Sequence, residues 1–425
     1  MRPFLILFSL FAFLSVLVAD PATSKVYIFP GPNGEIFVID AKTASVSGTI
    51  NVPGGLYCGA AAFSPDGTRM FCSTTGATAV IDLTTHAVVD SIPFGGSNLG
   101  AIDIAPDGSR AWILDQDLSS LLAVSLPSKQ VLGTVPLTGT AVRVSYDGTR
   151  VYVADGAEAG RVFVIDAVNF SILSTVSVGQ FPDALRFSPD GTELWVVFTG
   201  GAKVIDPVTN TVIATIQLPY PFSLGSVTEV TFHPSNRWAY FAQGGEAGWG
   251  AGPIVIDRAS KQVKDFLVTM EQTFGIGVTA DGSRGFTANI GNGNGTATVL
   301  DTNGNSVIGS IPLGGFLLHA LARQSPRPAI QPSACVKRNN DGTYTARFSY
   351  ENSSDRELLL PVGPSNLFSP GPADRGQPTL FTPGGQNNAF SIVFDGSPVT
   401  WSVQTPFALT GSLTVSANSQ GCQSQ

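Results

Sequence analysis

The chain has 425 residues, 43% of them hydrophobic and only 13% charged, a balance that suits well-buried domains and excludes disorder. Its net charge of −8 leaves no basic patch to displace counterions from phosphates, which excludes nucleic acid as a partner. The 47 glycines and 29 prolines are spread along the chain, as an all-β protein with many tight connections requires.

Arg2 precedes an uncharged apolar run, Pro3 to Ala19, which ends before Asp20. Such a run behind one cation reads as a secretory signal over residues 1–19. An uncleaved anchor is the alternative, because the region after Ala19 is not a clean small-x-small site. No later apolar stretch is long enough to span a bilayer. The mature chain is therefore expected to be exported (periplasmic, cell-surface or secreted) with no transmembrane segment.

From residue 25 onward the sequence repeats. Tyr27, Phe71, Trp112, Tyr152, Trp195, Tyr240 and Phe286 follow one another at steps of 44, 41, 40, 43, 45 and 46 residues. The last six each lie five residues after a fixed point of a turn: Asp66, Asp107, Asp147, Asp190, Ser235 and Asp281. One unit runs Ala60 to Phe63, the turn Ser64-Pro65-Asp66-Gly67-Thr68, a strand from Arg69 to Ser73, a strand ending Val80-Ile81-Asp82, and a strand from Val88 to Pro93. In the turn, Pro presets φ, Asp caps the backbone and Gly takes positive φ. Pro234-Ser235-Asn236 is a degenerate copy with Asn for Gly. The third strand carries its own signature, seen as Val38-Ile39-Asp40, Val164-Ile165-Asp166, Val204-Ile205-Asp206 and Val255-Ile256-Asp257, with Val299-Leu300-Asp301 close to it. Strand-and-turn units of this length belong to propeller or solenoid arrays.

With Val124-Ser125, where the third unit loses its Asp, seven third strands face only six internal turns of this type, so one first strand comes from elsewhere. Leu318 to Gln324 lies one repeat beyond Asp281 and is expected to pair beside Lys25 to Phe29. The predicted fold is thus all-β: a seven-bladed β-propeller over 25–328, closed by pairing of N- and C-terminal strands, then a small β-sandwich over 333–425.

These units resemble the YVTN family of β-propeller repeats, in the S-P-D-G-T-R turn, the aromatic strand after it and the V-I-D-x-x-T-x-x-V segment; the best copies are 61–96, 142–179 and 184–217. The resemblance implies a propeller of an exported or surface type. It constrains function weakly, since related propellers serve as enzymes, electron-transfer modules and binding scaffolds. WD40 repeats are the poorer match, because no Trp-Asp dipeptide with Gly-His occurs.

The C-terminal segment alternates as strands, Tyr344 to Tyr350, Glu357 to Val362, Ala389 to Phe394, Thr400 to Val403 and Gly411 to Val415, around a Pro/Gly-rich loop from Gly363 to Gly385. The string from Asn366 to Gly384 looks like a module found at the C-termini of bacterial exported proteins, which implies a surface setting and no chemistry. Cys335 and Cys422 bracket this segment and are expected to be bonded, a closure worth about 4–5 kcal/mol by loop entropy. Cys58 and Cys72 differ. If Ser64 pairs with Arg69, Cys72 faces Ala61 and Cys58 lies three residues out of register, which puts the thiols on opposite sheet faces and favours free, buried cysteines.

The sequence offers little catalytic chemistry. His86, His233 and His319 occupy non-equivalent positions, so no shared metal site is expected, and the repeated Asp residues read as turn caps. No G-x-S-x-G, H-E-x-x-H, Walker A or C-x-x-C-H motif occurs, and no cofactor is implied. Gly291 to Gly295 reads as a flexible connection. The candidate binding face is the one that carries the second-to-third-strand loops and the crossings between units, which vary in length on a regular frame. It gathers Tyr57, Asp117, Asp155, Glu158, Arg161, Phe181, Asp183, Tyr220, Phe222, Glu246, Trp249 and Phe274. The expected function is a non-catalytic scaffold, a monomer that presents this face to a protein, peptide or glycan. The alternative is a hydrolase or lactonase with Asp117, Asp155, Glu158, Asp183 and Glu246 at a channel mouth.

Overall fold

The computed structural model describes residues 25–422 except 31–34, 53–57, 94–98, 180, 221, 245–251, 270, 292–293, 315–316, 323–328, 354–356 and 406–409. The expected signal segment, Gln324, Tyr57, Glu246 and Trp249 lie outside the described residues. The chain divides into two compact units, Met1–Phe187 with Leu194–Ser325, and Pro326–Gln425 with Ser188–Glu193.

Among the described residues the first unit is built from seven antiparallel four-stranded sheets. Sheet 1 runs Leu317–Ala322, Lys25–Pro30, Glu35–Asp40, Ser45–Asn51, and sheet 2 runs Ala60–Phe63, Arg69–Thr74, Ala77–Asp82, Ala87–Pro93. Sheet 3 takes Leu99–Ile104, Arg110–Asp115, Ser120–Ser125 and Val131–Pro136, and sheet 4 takes Ala141–Val144, Arg150–Ala154, Arg161–Asp166 and Ser171–Ser177. Sheet 5 holds Ala184–Phe187, Leu194–Phe198, Gly201–Asp206 and Thr211–Gln217, and sheet 6 holds Ser226–Phe232, Trp238–Gly244, Ile254–Asp257 and Gln262–Phe266. Gln272–Val278, Arg284–Gly291, Asn294–Asp301 and Ser306–Pro312 complete sheet 7. In sheet 1 the late strand pairs with the early one through Val26↔Ala322, Tyr27↔Leu321 and Ile28↔Ala320.

The seven register aromatics all stand on second strands, and all are buried. Each of five touches the sheet that follows. Tyr27 meets Phe63 and His86, Trp112 meets Phe170, and Trp195 meets Phe232 and Phe241 edge-on with Lys261 over its ring. The Tyr152 hydroxyl donates to Pro207 O, and the Tyr240 hydroxyl donates to Thr302 O and Asn305 Oδ1. Buried side chains make continuous cores: sheets 3 to 6 share one, sheets 2 and 3 another, sheets 6 and 7 a third. Phe286 and Val299 of sheet 7 share a core with Val26 and Val38 of sheet 1 and Ala61 and Cys72 of sheet 2. The Arg284 guanidinium reaches from sheet 7 to Ala41 O of sheet 1 at 2.8 Å, as Arg110 of sheet 3 reaches Ala167 O of sheet 4.

The turns between third and fourth strands share a device that the repeat pattern did not expose. Every one contains a left-handed residue, Ala44, His86, Lys129, Phe170, Asn210, Lys261 or Asn305, with φ between 49° and 58°. Each is followed by a register shift in the ladder, as between Val38 and Ile39 or Val164 and Ile165. A left-handed residue beside a bulge turns the chain sharply and re-aims its side chain. Phe170 is thereby laid over Gly133, where an added Cβ would meet its ring at 2.3 Å.

The Asp-Gly turns form as expected. Asp66 Oδ1 accepts from the Thr68 N–H, Asp147 Oδ1 from the Thr149 N–H, and Gly67 and Gly148 take positive φ. The Asp of each V-I-D segment caps the next turn in the same way. Asp40 accepts from the Lys42 and Thr43 amides, Asp82 from Thr84 and Thr85, and Asp166 from Val168 and Asn169. The Thr43 amide and the Lys25 ammonium hold the Asp40 carboxyl down at about 2.

One cysteine expectation is corrected. Cys72 does face Ala61 across the hairpin, but Cys58 lies ahead of the strand, where the Gly59 N–H bonds to Ser73 O. Outside the strand the pleat no longer dictates side-chain direction. The two Cα atoms approach to 5.5 Å and the residues are joined in a disulfide.

In the second unit, Ile330–Arg338, Tyr344–Asn352 and Gly384–Phe394 form one sheet, and Asn366–Ser369, Val399–Gln404 and Thr410–Val415 form another. They share a core of Phe348, Phe368, Phe381 and Trp401. Cys335 and Cys422 are bonded across 87 residues, as expected. The loop motif is structural. The buried Asn366 donates to Leu360 O and Pro378 O and accepts from Trp401 Nε1, while Gln377 donates to Ala373 O.

Trp195→Ala should lower the stability of the first unit by about 3–5 kcal/mol, because it empties a closed contact between two sheets. Val89→Ala, on an exposed fourth-strand position, should leave it nearly unchanged. Urea unfolding of the two variants side by side checks the difference.

Candidate binding face

Antiparallel order sends the Asp-Gly and V-I-D turns to one end of every sheet. The second-to-third-strand loops and the crossings go to the other end. At the turn end the carboxylates are spent on backbone amides. The loop end is where the described sequence-predicted residues fall.

Five of them gather where the crossing from sheet 4 to sheet 5 lies over the loop of sheet 4. The Val178 N–H bonds to Gly160 O, the Phe181 N–H to Ala157 O, and the Thr140 hydroxyl to Pro182 O. Asp155 is buried here, and its Oδ2 accepts from Arg161 Nε at 2.8 Å while Oδ1 accepts from the Arg161 and Ala157 amides. These two residues therefore fasten the loop, and Arg161 also lies 5.1 Å from the Phe163 ring. Glu158 is exposed at the loop tip. Phe181 is left-handed and 48% exposed. Asp183 is half-buried, and burial pushes its carboxyl up to about 7.

The remaining candidates stand apart from this group. Asp117 is exposed on the sheet 3 loop, and Tyr220 is 80% exposed on the crossing from sheet 5 to sheet 6. Phe222 stacks on Phe266 with centroids 3.9 Å apart. Phe274 lies on a strand of sheet 7, half-buried, where its carbonyl accepts the Thr228 hydroxyl. His233 Nε2 contacts Gly282 O and its Nδ1 contacts Ser235 Oγ, and His86 packs on Tyr27, so both serve turns. Among the described residues no three His, Cys, Asp or Glu side chains come together in a way that would hold a metal.

Two further sets of residues, all but Asp155 absent from the candidates above, stand at the loop end and at the sheet junctions. Three residues after an aromatic of the register stand Thr74, Asp115, Asp155, Gln243 and Asn289, all buried at the loop end. They anchor the loops: Thr74 to Ala77 O, Asp115 to the Leu118 N–H, Gln243 to Phe222 O, Asn289 to Thr298 Oγ1. Their fixed offset from the aromatic is a signal that could have found them.

The second set is ionic and sits on first strands. Asp103, Arg143, Arg186 and Glu229 occupy successive sheets 3 to 6. Asp103 Oδ2 accepts from the Val144 N–H across the sheet junction. Arg186 donates to Val230 O at 3.0 Å and pairs with Glu229 Oε1 at 3.2 Å, both side chains being buried. Burial raises the Asp103 and Glu229 carboxyls against the pull of the nearby guanidinium groups, and it lowers Arg143 to about 10. The four opposed charges make a seam between sheets. A charged residue within a short apolar strand, as in Ala-Val-Arg-Val or Ala-Leu-Arg-Phe, is the sequence signal.

With this geometry in view, the likeness to known proteins is distant. No protein-family model matches the chain. It is 29% identical over 187 residues to the uncharacterized protein YncE of Salmonella typhi, covering 42% of this chain and 52% of that protein. The YncE of Salmonella typhimurium (strain LT2) is 28% identical over the same length. The chain thus spans about half the length of the curated relatives it matches. Among solved structures, the Kuenenia stuttgartiensis hydrazine synthase superposes with a TM-score of 0.54 at 15% identity, over 68% of this chain and 91% of that one. That likeness concerns the fold, which is all-β and propeller-like.

Arg186→Met should cost about 3–5 kcal/mol, because it strands the buried Glu229 carboxylate, and adding Glu229→Leu should restore most of the loss. Thermal unfolding of the single and double variants tests this. Asp183 yields a pH prediction. Its folded carboxyl titrates near 7 and its unfolded one near 4, so its contribution to stability is full below about pH 4 and is lost as pH rises through 7. Asp183→Asn should remove that decline, which denaturant midpoints between pH 4 and pH 8 measure.

Proposed function

We propose that the first unit is a seven-bladed β-propeller, closed by the pairing of 317–322 with 25–30, and that the protein is an exported, non-catalytic scaffold. The second unit is then a small β-sandwich, and the working form is a monomer. The shared core of sheets 7, 1 and 2 and the Arg284–Ala41 bond support closure. Two disulfides support an oxidising compartment. Among the described residues no helix is long and apolar enough to cross a membrane.

The observation that carries the binding reading is the contrast between the two ends of the sheets. At the turn end the Asp side chains bond to backbone amides. At the loop end, Phe181 and Tyr220 stay exposed on a frame whose register aromatics are buried, with the carboxylates of Asp117, Glu158 and Asp183 nearby in sequence or on neighbouring loops. Exposed aromatics among acids suit a protein, peptide or glycan partner.

A photo-crosslinking residue at Tyr220 or Phe181 should capture a partner from the exported fraction, and the same residue at Asp66 or Asp107 should not. Equal capture from both ends would overturn the assignment of the face. Asp183 favours one second reading, a propeller hydrolase or lactonase, because a carboxyl near 7 suits a general base. Hydrolysis of a lactone panel, abolished in Asp183→Asn, would select that reading over the scaffold.

A further inference from the structure

The junction between sheets 2 and 3 carries buried polar groups that no hydrogen bond uses. Ala60, Ser73, Thr78 and Ile92 are successive cross-strand partners in sheet 2, so their side chains share one face. Ala60 and Ile92 pack in one core with Ile102, Ile113 and Leu122 of sheet 3, which places Ser73 and Thr78 on the face toward that sheet. Asp115 lies two residues after Ile113 on the same strand, and therefore on the face that looks back at sheet 2. Ser73, Thr78 and Asp115 are 1%, 0% and 1% exposed, yet Ser73 Oγ, Thr78 Oγ1 and Asp115 Oδ2 have no hydrogen-bond partner. Ser73 stands two residues past Phe71 and Asp115 three past Trp112, so the repeat sets them within one residue's rise (about 3.4 Å) of a common level at the loop end.

The frame requires none of these groups. The pair that corresponds to Ser73 and Thr78 is Leu114 with Leu121 in sheet 3, Ala154 with Val162 in sheet 4, and Val197 with Ala202 in sheet 5. The contrast at Asp115 is one of charge. Its counterpart in sheet 4, Asp155, lies opposite Arg161, whose Nε pairs with the carboxylate at 2.8 Å. The residue opposite Asp115 is Ser120, a hydroxyl where sheet 4 supplies a guanidinium. Asp115 Oδ1 accepts the Leu118 N–H, and among the described residues no Lys, Arg or His pairs with the carboxylate. A buried carboxylate without a counter-charge carries a large desolvation penalty. A water that donates to Oδ2 leaves the charge in place, whereas a bound cation removes it. The donors at hand are all oxygen, which suits a hard cation, and one carboxylate balances one positive charge. Calcium sites collect more carboxylates than the one that stands here.

We propose that an alkali-metal cation binds between sheets 2 and 3 on Asp115 Oδ2, with the hydroxyls of Ser73 and Thr78 facing it from sheet 2. The ion fastens the turn from Asp115 to Leu118, as Arg161 fastens the loop of sheet 4. The site does not depend on what the loop face binds.

Thermal unfolding of the full chain in sodium chloride, potassium chloride and choline chloride at equal ionic strength tests it. Sodium or potassium should raise the midpoint of the first unit by about 2 °C or more over choline, with a concentration dependence that saturates. Asp115→Asn should abolish the rise and, relieved of a buried charge, be at least as stable as the parent chain in choline. Thr78→Val, which keeps the shape and removes the hydroxyl, should shrink the rise. The proposal fails if the parent chain unfolds alike in all three salts, or if the rise persists in Asp115→Asn. It fails also if micromolar calcium raises the midpoint where sodium and potassium do not. Should Asp115→Asn not fold, an undiminished rise in both Thr78→Val and Ser73→Ala overturns it.

Discussion

The structure depends on one repeated contact, in which an aromatic side chain on the second strand of a sheet is seated on the turn of the next sheet. A four-stranded sheet has two faces, and neither can be left to water when second and third strands are apolar. The register aromatics fill the wedge between twisted neighbours, each burying on the order of 150–250 Å². Trp112 on Phe170 and Trp195 beneath Lys261 are this contact in its plainest form. Tyr152 and Tyr240 add a hydroxyl that reaches the carbonyl and Asn of the turn opposite, so that a buried polar atom is satisfied.

The constraint then passes to the turns that receive these rings. They must present a defined side chain, and the left-handed residue followed by a bulge does so at every one. Capping Asp residues hold those turns, which is why the many carboxylates of this acidic chain do not form a site at the turn end. Charge is used differently in the interior. Arg186 and Glu229 are buried, and with Asp103 and Arg143 they cross the junctions of sheets 3 to 6. A buried pair of this kind adds little net stability, but losing one partner leaves an uncompensated buried charge.

Much of the frame was legible in the sequence because strand alternation and turn chemistry act over a few residues. The aromatic spacing and the Asp-Gly turns follow from local pattern, whereas the expectation that Leu318 to Gln324 pairs beside Lys25 to Phe29 came from counting third strands against turns, and Leu317–Ala322 does pair with Lys25–Pro30. The candidate face was legible only as a face. Asp155 and Arg161, candidate binding groups in the sequence, also fasten a loop to itself, and nothing in a sequence says whether a carboxylate has met a cation six residues away. Cys58 was misjudged for a related reason: the alternation rule was extended to a residue two positions ahead of the strand that begins at Ala60.

What the sequence determined by itself is the repeat: its length, its strands, its turns, and the row of large apolar side chains, since each is set by periodicity and backbone preference within about 40 residues. Tertiary structure alone decided which groups are occupied and which are open. The ionic row brings together Arg186 and Glu229, which are 43 positions apart. Such juxtapositions depend on how neighbouring sheets and strands meet in space, where desolvation and distance fix a group's chemistry, and neither quantity is written in the spacing of the chain.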